Sequence, residues 1–232
     1  AVLLLSSTFI FTAHAAGDDD LQELQSSRSY KDWVLIKNDE RNGIKLYVKH
    51  EDNKRFISFK QDYVVNAPLK TVARVMLDID NYPRWYWEVK EVKLLKTISP
   101  TEFYFYIRHN APVTMPDRDS ILHVTLEPYT RQRGFASMKM TAVPKFLPEK
   151  PPYVRVPIED MAFKLTPVNN GAQVRMDVEA YVDPGGFAPK WATNAVQRQG
   201  PYSSALGLIR RVQDDAVRNA TGPLPFKLIE DE

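Results

Sequence analysis

Apolar and polar positions alternate through most of the chain from residue 33 onward. Ile44, Leu46 and Val48 fall on one side of a segment and Lys45, Tyr47 and Lys49 on the other, the period-two pattern of a half-buried strand. The same reading predicts strands at 33–37, 44–49 and 56–65, the first two joined by the turn Arg41-Asn42-Gly43. Further strands are predicted near 89–97, 102–109, 120–127, 134–142, 158–167 and 172–182. The period becomes helical twice. Pro68 opens a helix through Asp78 with Leu69, Val72, Ala73, Met76 and Leu77 on one side. Pro189 stands at the start of a second, running to about Arg218, where its missing N–H costs nothing. That helix carries apolar residues at Ala192, Ala195, Val196, Ala205, Leu208, Ile209, Val212 and Ala216, and such a face must be buried on the sheet. Strands in meander order, interrupted once and closed by a long helix, give an α+β architecture. There is no βαβ repetition and no Gly-rich phosphate loop, which argues against a nucleotide fold.

The alternation also assigns faces. Ala136, Met138, Met140 and Ala142 oppose Ser137, Lys139 and Thr141; Val174, Met176, Val178 and Ala180 oppose Arg175, Asp177 and Glu179. Leu122, Val124 and Leu126 oppose His123 and Thr125. The inward surface is aliphatic and rich in Met, a side chain that adapts to irregular neighbours. On periodicity alone such faces pack a solid core as readily as they enclose a ligand.

Three motifs bear on that choice: Asp183-Pro184-Gly185-Gly186-Phe187-Ala188-Pro189-Lys190-Trp191-Ala192-Thr193-Asn194 before the last helix, Pro116-Asp117-Arg118-Asp119 before a strand, and Tyr82-Pro83-Arg84-Trp85 leading into Val89-Lys90-Glu91-Val92. In their order along the chain they resemble the START (steroidogenic-acute-regulatory-protein-related lipid-transfer) family. The resemblance implies a helix-grip fold over about 32–220, in which a curved antiparallel sheet wraps a long C-terminal helix and encloses a hydrophobic tunnel. It turns the inward faces into candidate ligand contacts: Phe105, Ile107, Ser120, Leu122, Val124, Met138, Met140, Met176 and Val178 from the strands, Ala195, Val196 and Gln199 from the helix, and Tyr82 and Tyr86 near the tunnel mouth. The family's head-group devices are absent from the corresponding positions. The buried acid and Arg of sterol-binding members fall on Phe105 and Val124, the Arg and Asp of phosphatidylcholine-type members on Tyr82 and Tyr86, and their choline cage on Ile107 and Ser120. A dry void of ~400 Å³ would cost on the order of 10 kcal/mol, comparable to a domain's whole stability, so a tunnel implies an occupant.

With 232 residues and 44% hydrophobic content, one large domain can bury a sizeable core. The net charge of +2 is scattered, which argues against a nucleic-acid partner. Ala1 to Thr12 are apolar or small and Ala13-His14-Ala15 supplies a cleavage pattern, so 1–15 reads as a signal peptide lacking its n-region. A short polar helix and linker over 16–31 and a tail at 221–232 flank the domain. The chain contains no Cys, which excludes disulfides and thiol catalysis and suits an exported, periplasmic protein.

Candidate chemistry is thin. Arg118 between two aspartates suggests a loop-fixing ion pair, with ligand binding as the alternative. Trp85 and Trp191 either pack the helix–sheet junctions or stack on a ligand. Of the four His, only His109, beside Asn110 and on the inward parity, could serve acid–base work, and a structural role competes with it. Gly200-Pro201 predicts a bend in the last helix that could act as a hinge for ligand exchange. These observations favour a non-catalytic lipid carrier, a monomer in transient contact with membranes, with no metal or cofactor expected. A helix-grip enzyme acting on a hydrophobic substrate is the second class. A ligand-sensing module docking on an envelope protein through the basic, aromatic segment 82–93 is the third.

Overall fold

In the computed structural model, which describes residues 32–112 and 114–230, the chain runs β1 (Val34–Asp39), β2 (Ile44–Lys49), β3 (Ser58–Val65), α1 (Leu69–Leu77), a 3-10 helix (Ile79–Arg84), β4 (Val89–Ser99), β5 (Glu102–His109), β6 (Arg118–Glu127), β7 (Ala136–Ala142), β8 (Val154–Arg155), β9 (Ile158–Val168), β10 (Gln173–Asp183), α2 (Lys190–Arg211) and α3 (Asp215–Arg218). The strands pair in the order β1-β2-β3-β10-β9-β7-β6-β5-β4, and every neighbouring pair along this path is antiparallel. Register slips interrupt both edge strands, once in β1 and three times in β4. Such bulges increase local twist and bend the sheet, here into the curved wall of a helix-grip fold. The predicted signal peptide and the predicted polar helix and linker lie outside the described residues.

The register sets inward side chains in rows. Val124, Met140, Met161, Ala180 and Phe59 stand opposite one another on β6, β7, β9, β10 and β3, and Leu126, Met138, Phe163, Val178 and Gln61 form the next row. Helix α1 packs on β9, β10, α2 and α3, while α2 crosses β2 and β3. The Tyr202 hydroxyl ties α2 to the end of β1 by donating to Asp39 at 2.6 Å. That bond, followed by one from Asn42, holds the Asp39 carboxyl down at about 2.

Several predicted boundaries move. β1 shifts to 34–39, β3 begins at Ser58, and the final helix stops at Arg211 rather than Arg218. Asp214 adopts extended backbone, with φ −63° and ψ 133°, and its carboxylate pairs with the Arg211 guanidinium, so the chain resets before α3. The short β8 was not predicted. It pairs in parallel with the start of β6, where Arg155 forks onto Asp119 at 3.0 and 2.9 Å and also donates to the carbonyls of Pro144, Leu147 and Pro148. One guanidinium thereby fastens the whole 143–153 connection.

The expected tail is part of the core. Leu228 is fully buried, Phe226 stacks on Phe103 with centroids 3.8 Å apart, and Lys227 N–H donates to the Pro100 carbonyl. Leu224, Phe226 and Leu228 alternate, but the run is short and interrupted by Pro223 and Pro225, too little to register as a strand or helix period, so only the folded chain reveals their place.

The Asp183-Pro184-Gly185-Gly186 motif makes the turn from β10 toward α2. Asp183 accepts the Gly185 N–H at 2.9 Å. Gly185 has φ +67°, and a Cβ there would lie 2.9 Å from the Arg155 carbonyl oxygen, so both backbone conformation and space demand glycine.

Candidate functional site: an apolar cavity beneath the last helix

Between α2 and the inner face of the sheet lies a cavity of about 190 Å³, more than ten times the volume of roughly 10–15 Å³ that one water needs. Its floor comprises Phe59, Gln61 and Tyr63 of β3, Met138 and Met140 of β7, Glu159, Met161 and Phe163 of β9, and Val178 and Val182 of β10. Tyr82, Trp85, Tyr86 and Trp87 form one side wall, and Asn110, Ala111, Pro112 and Met115 from one loop and Pro184 and Ala188 from another line one end. The roof is a stripe of α2 spaced three to four residues apart: Thr193, Val196, Gln197, Gly200, Pro201, Ser204 and Leu208.

Seven of the fourteen sequence candidates line this cavity: Tyr82, Tyr86, Ser120, Met138, Met140, Val178 and Val196. Five others do not. Phe105, Ile107, Leu122, Val124 and Met176 are inward-facing and buried, as their parity requires, but sit in the packed core. There aromatic side chains fill the space, with Phe105 edge-on to Tyr82 at 5.9 Å and Phe103 under Phe226. Gln199, expected on the inner side of the helix, does not line the cavity. It is exposed because it lies off the 193–197–200–204 stripe, and Gln197, 8% exposed, faces inward instead. The side chains of Ala195 and Trp191 lie outside the described residues.

The aromatic wall is partly interior: Tyr82 is buried and Trp85, Tyr86 and Trp87 are half-buried, while Pro83, Arg84, Glu88, Lys90 and Lys93 of the same segment are exposed. Tyr82 is buried and donates its hydroxyl to the Met76 carbonyl at 2.6 Å. Tyr86 directs its hydroxyl at the Met161 sulfur, 3.8 Å away, and burial raises its pKa, with the nearby Glu159 adding to the effect. The helix lies directly on this wall. The Trp87 N–H donates to Ser204 Oγ at 3.3 Å, and α2 approaches the Trp85 backbone so closely at Gly207 that a methyl group would overlap the Trp85 carbonyl oxygen. The helix is continuous across Gly200-Pro201, both of which face the cavity.

Polar groups interrupt the apolar lining at a few places, most of which parity alone did not mark as ligand contacts. Gln61 is 4% exposed, and its Nε2 has no hydrogen-bond partner among the described residues. Glu159 is buried and accepts a 2.6 Å hydrogen bond from Ser120; desolvation raises its pKa, against the lowering effect of that bond. His109 places Nδ1 3.1 Å from the Trp87 carbonyl. A carbonyl only accepts, so Nδ1 carries the hydrogen and Nε2 is left as an acceptor. Burial lowers its pKa and favours the neutral ring. A Glu on a strand whose inner face is otherwise Met161, Phe163 and Leu165 was the available signal for Glu159, since a lone acid on an apolar face is the informative exception.

Arg118 also departs from expectation. Its flanking aspartates pair elsewhere, Asp117 with Arg108 at 2.6 Å and Asp119 with Arg155. Arg118 itself donates to the carbonyls of Pro116 at 2.6 Å and Phe187 at 3.1 Å and lines the cavity. The predicted loop-fixing ion pair is therefore formed by its neighbours. Among the described residues no group of three or more His, Asp or Glu is placed to hold a metal ion, and no helix is long and apolar enough to cross a membrane.

A curved antiparallel sheet gripping a C-terminal helix over an oily chamber defines a class, and the chain belongs to it: the START domain family matches residues 17–215. That match begins upstream of the boundary expected at 32. Among solved structures, the STAR-related lipid transfer protein of Xanthomonas axonopodis (fragment 25–204) is similar at 28% identity over 78% of this chain and 99% of its own, with a TM-score of 0.70. Human STARD10 shares the fold at 19% identity, covering 86% of this chain and 80% of its own, with a TM-score of 0.67. Human StAR-related lipid transfer protein 5 does so at 18% identity, 86% and 93% coverage, and a TM-score of 0.63. No curated protein matches the chain significantly.

Proposed function

We propose that the protein binds one lipid or similarly apolar molecule in the cavity and carries or sequesters it in the periplasm without chemically altering it. The observation that carries this reading is the 190 Å³ chamber lined chiefly by Met, aromatic and aliphatic side chains. Left dry, a void of that size would cost about 4–5 kcal/mol, a large fraction of a domain's stability of roughly 5–15 kcal/mol. An apolar guest removes that cost. Moving hydrocarbon from a bilayer into such a chamber changes its environment little, so loading and release are near balance, as a carrier requires. The similarity to a bacterial protein named as a lipid-transfer protein supports the same function, and the apolar run 1–12 followed by Ala13-His14-Ala15 supports an exported setting.

The test is native mass spectrometry of protein purified from its own cell envelope, with the bound mass extracted and identified. A co-purifying lipid in the wild type, lost in Met140→Trp while circular dichroism remains native, is the expected result. Equal lipid content in the two folded proteins would remove the cavity as the binding site. A catalytic reading has one specific foothold, the Glu159 carboxyl and the neutral His109 ring in the same chamber. It predicts a chemically changed ligand and loss of turnover in Glu159→Gln and His109→Ala, whereas recovery of an unaltered lipid favours the carrier.

A further inference from the structure

Arg118 is 8% exposed, lies on the cavity wall, and has no carboxylate within ion-pairing distance among the described residues. Both acids beside it in sequence are engaged elsewhere, Asp117 by Arg108 and by Lys90 at 3.8 Å and Asp119 by the Arg155 fork. The acid in the cavity floor, Glu159, is bonded to Ser120, and burial favours its neutral form. Across the strand pair Arg118 stands opposite His109, which is held neutral. A guanidinium carries five N–H donors, and two carbonyls, those of Pro116 and Phe187, orient this one. A cation this little exposed is costly unless it is fully paired; burial depresses the Arg118 pKa, and the field of Asp117, a carboxylate already shared with Arg108 and Lys90, offsets that only in part. Its carbonyl contacts fix its direction without neutralising it. The remaining donors suit the planar, forked geometry of a carboxylate or phosphate.

We infer that the loop end of the cavity is an anion subsite, and that the ligand is a lipid whose acidic head group, carboxylate or phosphate, sits on Arg118 while its hydrocarbon runs along Met138, Met140, Met161 and Phe163. The inference rests on the proposed lipid-binding function and adds the chemical class of the head. The Phe187 carbonyl contact has a further consequence: the Arg118 side chain bridges β6 to the loop that leads into α2, so an anion bound there tightens one end of the roof.

The test uses N-phenyl-1-naphthylamine, a neutral apolar fluorophore, loaded into the purified protein and displaced by four competitors. Oleate and oleoyl lysophosphatidate carry the same chain on a carboxylate and a phosphate, oleyl alcohol carries it on a neutral head, and inorganic phosphate has no chain. One charge-assisted contact predicts displacement by an acidic lipid at about tenfold lower concentration, or better, than by oleyl alcohol, with inorganic phosphate inactive. Which acidic lipid is preferred distinguishes carboxylate from phosphate. In Arg118→Gln the ratio of acidic to neutral displacement falls to about one, and Arg118→Lys retains part of it. Equal displacement by oleate, lysophosphatidate and the alcohol in the wild type overturns the subsite while leaving the carrier function standing. Failure of the fluorophore to enter at all overturns both.

Discussion

Ionising Glu159 would place a charge against Met and Phe side chains, with the Ser120 hydroxyl as its hydrogen-bonded compensation. The direction of its shift sets a pH dependence. A carboxyl whose folded pKa lies above the unfolded value of about 4.3 contributes fully below that value, and its contribution is lost as pH rises through the folded pKa. Urea unfolding followed from about pH 4 to 8 is therefore expected to show a decline that Glu159→Gln flattens; an identical slope in the variant would show that Glu159 ionises freely in the fold. The buried pair at Asp119 and Arg155 behaves differently. Arg155→Met strands a buried carboxylate and frees the loop carbonyls, with an expected loss of about 3–5 kcal/mol by chemical denaturation. Neither partnership was legible locally. Arg118 has both aspartates at hand in sequence, yet Asp119 takes an arginine 36 positions away, because parallel pairing of β8 with β6 delivers that guanidinium already oriented.

At the scale of elements, helix α2 does two jobs along its length. Its C-terminal half buries Ala205 and Leu208, with Val212 just beyond its end, in the helical repeat that the sequence pattern shows, and Ser204, Ala205 and Leu208 also border the cavity. Its N-terminal half covers the cavity with Thr193, Val196, Gln197, Gly200 and Pro201, a mixed stripe that no hydrophobic period announces. Gln199, expected on the inner side, lies off that stripe: without a continuous apolar ridge the phase of the helix is underdetermined, and at about 100° per residue Gln199 stands roughly 200° around the helix from Gln197, which lines the cavity. What fixes the phase is contact at Gly207, where the helix backbone meets the Trp85 carbonyl. Gly207→Ala should lift α2 from the aromatic wall, lowering stability by about 1–3 kcal/mol through overpacking and accelerating hydrogen exchange across 196–211. Unchanged exchange there would show that the helix is held elsewhere.

For the whole molecule, the cavity couples stability to occupancy. A ligand that binds only the folded chain stabilises it by RT ln(1 + [L]/Kd), or about 2.7 kcal/mol at a hundredfold excess over Kd. For a domain of this size each 1 kcal/mol moves Tm by about 2–4 °C, so lipid-loaded protein should melt roughly 5–11 °C above delipidated protein. Calorimetry before and after delipidation measures this, and coincident transitions would argue for a rigid interior that gains nothing from a guest. The scale of the effect follows from the chamber's volume. A solidly filled helix-grip domain of the same sequence length would show none of it.

The periods in the sequence were enough to place nine of the strands, the first helix, the start of the last one and the inward parity of every strand residue proposed for the site, because alternation records which side of each strand meets water. They could not say what stands opposite an inward side chain. Val124 and Met140 are cross-strand partners with the same parity, yet Val124 is covered by packed core while Met140 faces the chamber. Phe226, arriving from the last residues of the chain, helps to fill one end of the interior, and Gly207 holds the roof over the other. Whether an oily face closes on side chains or on a guest is set by the distance between elements far apart in sequence. That distance is decided by tertiary contacts, to which a local period is blind.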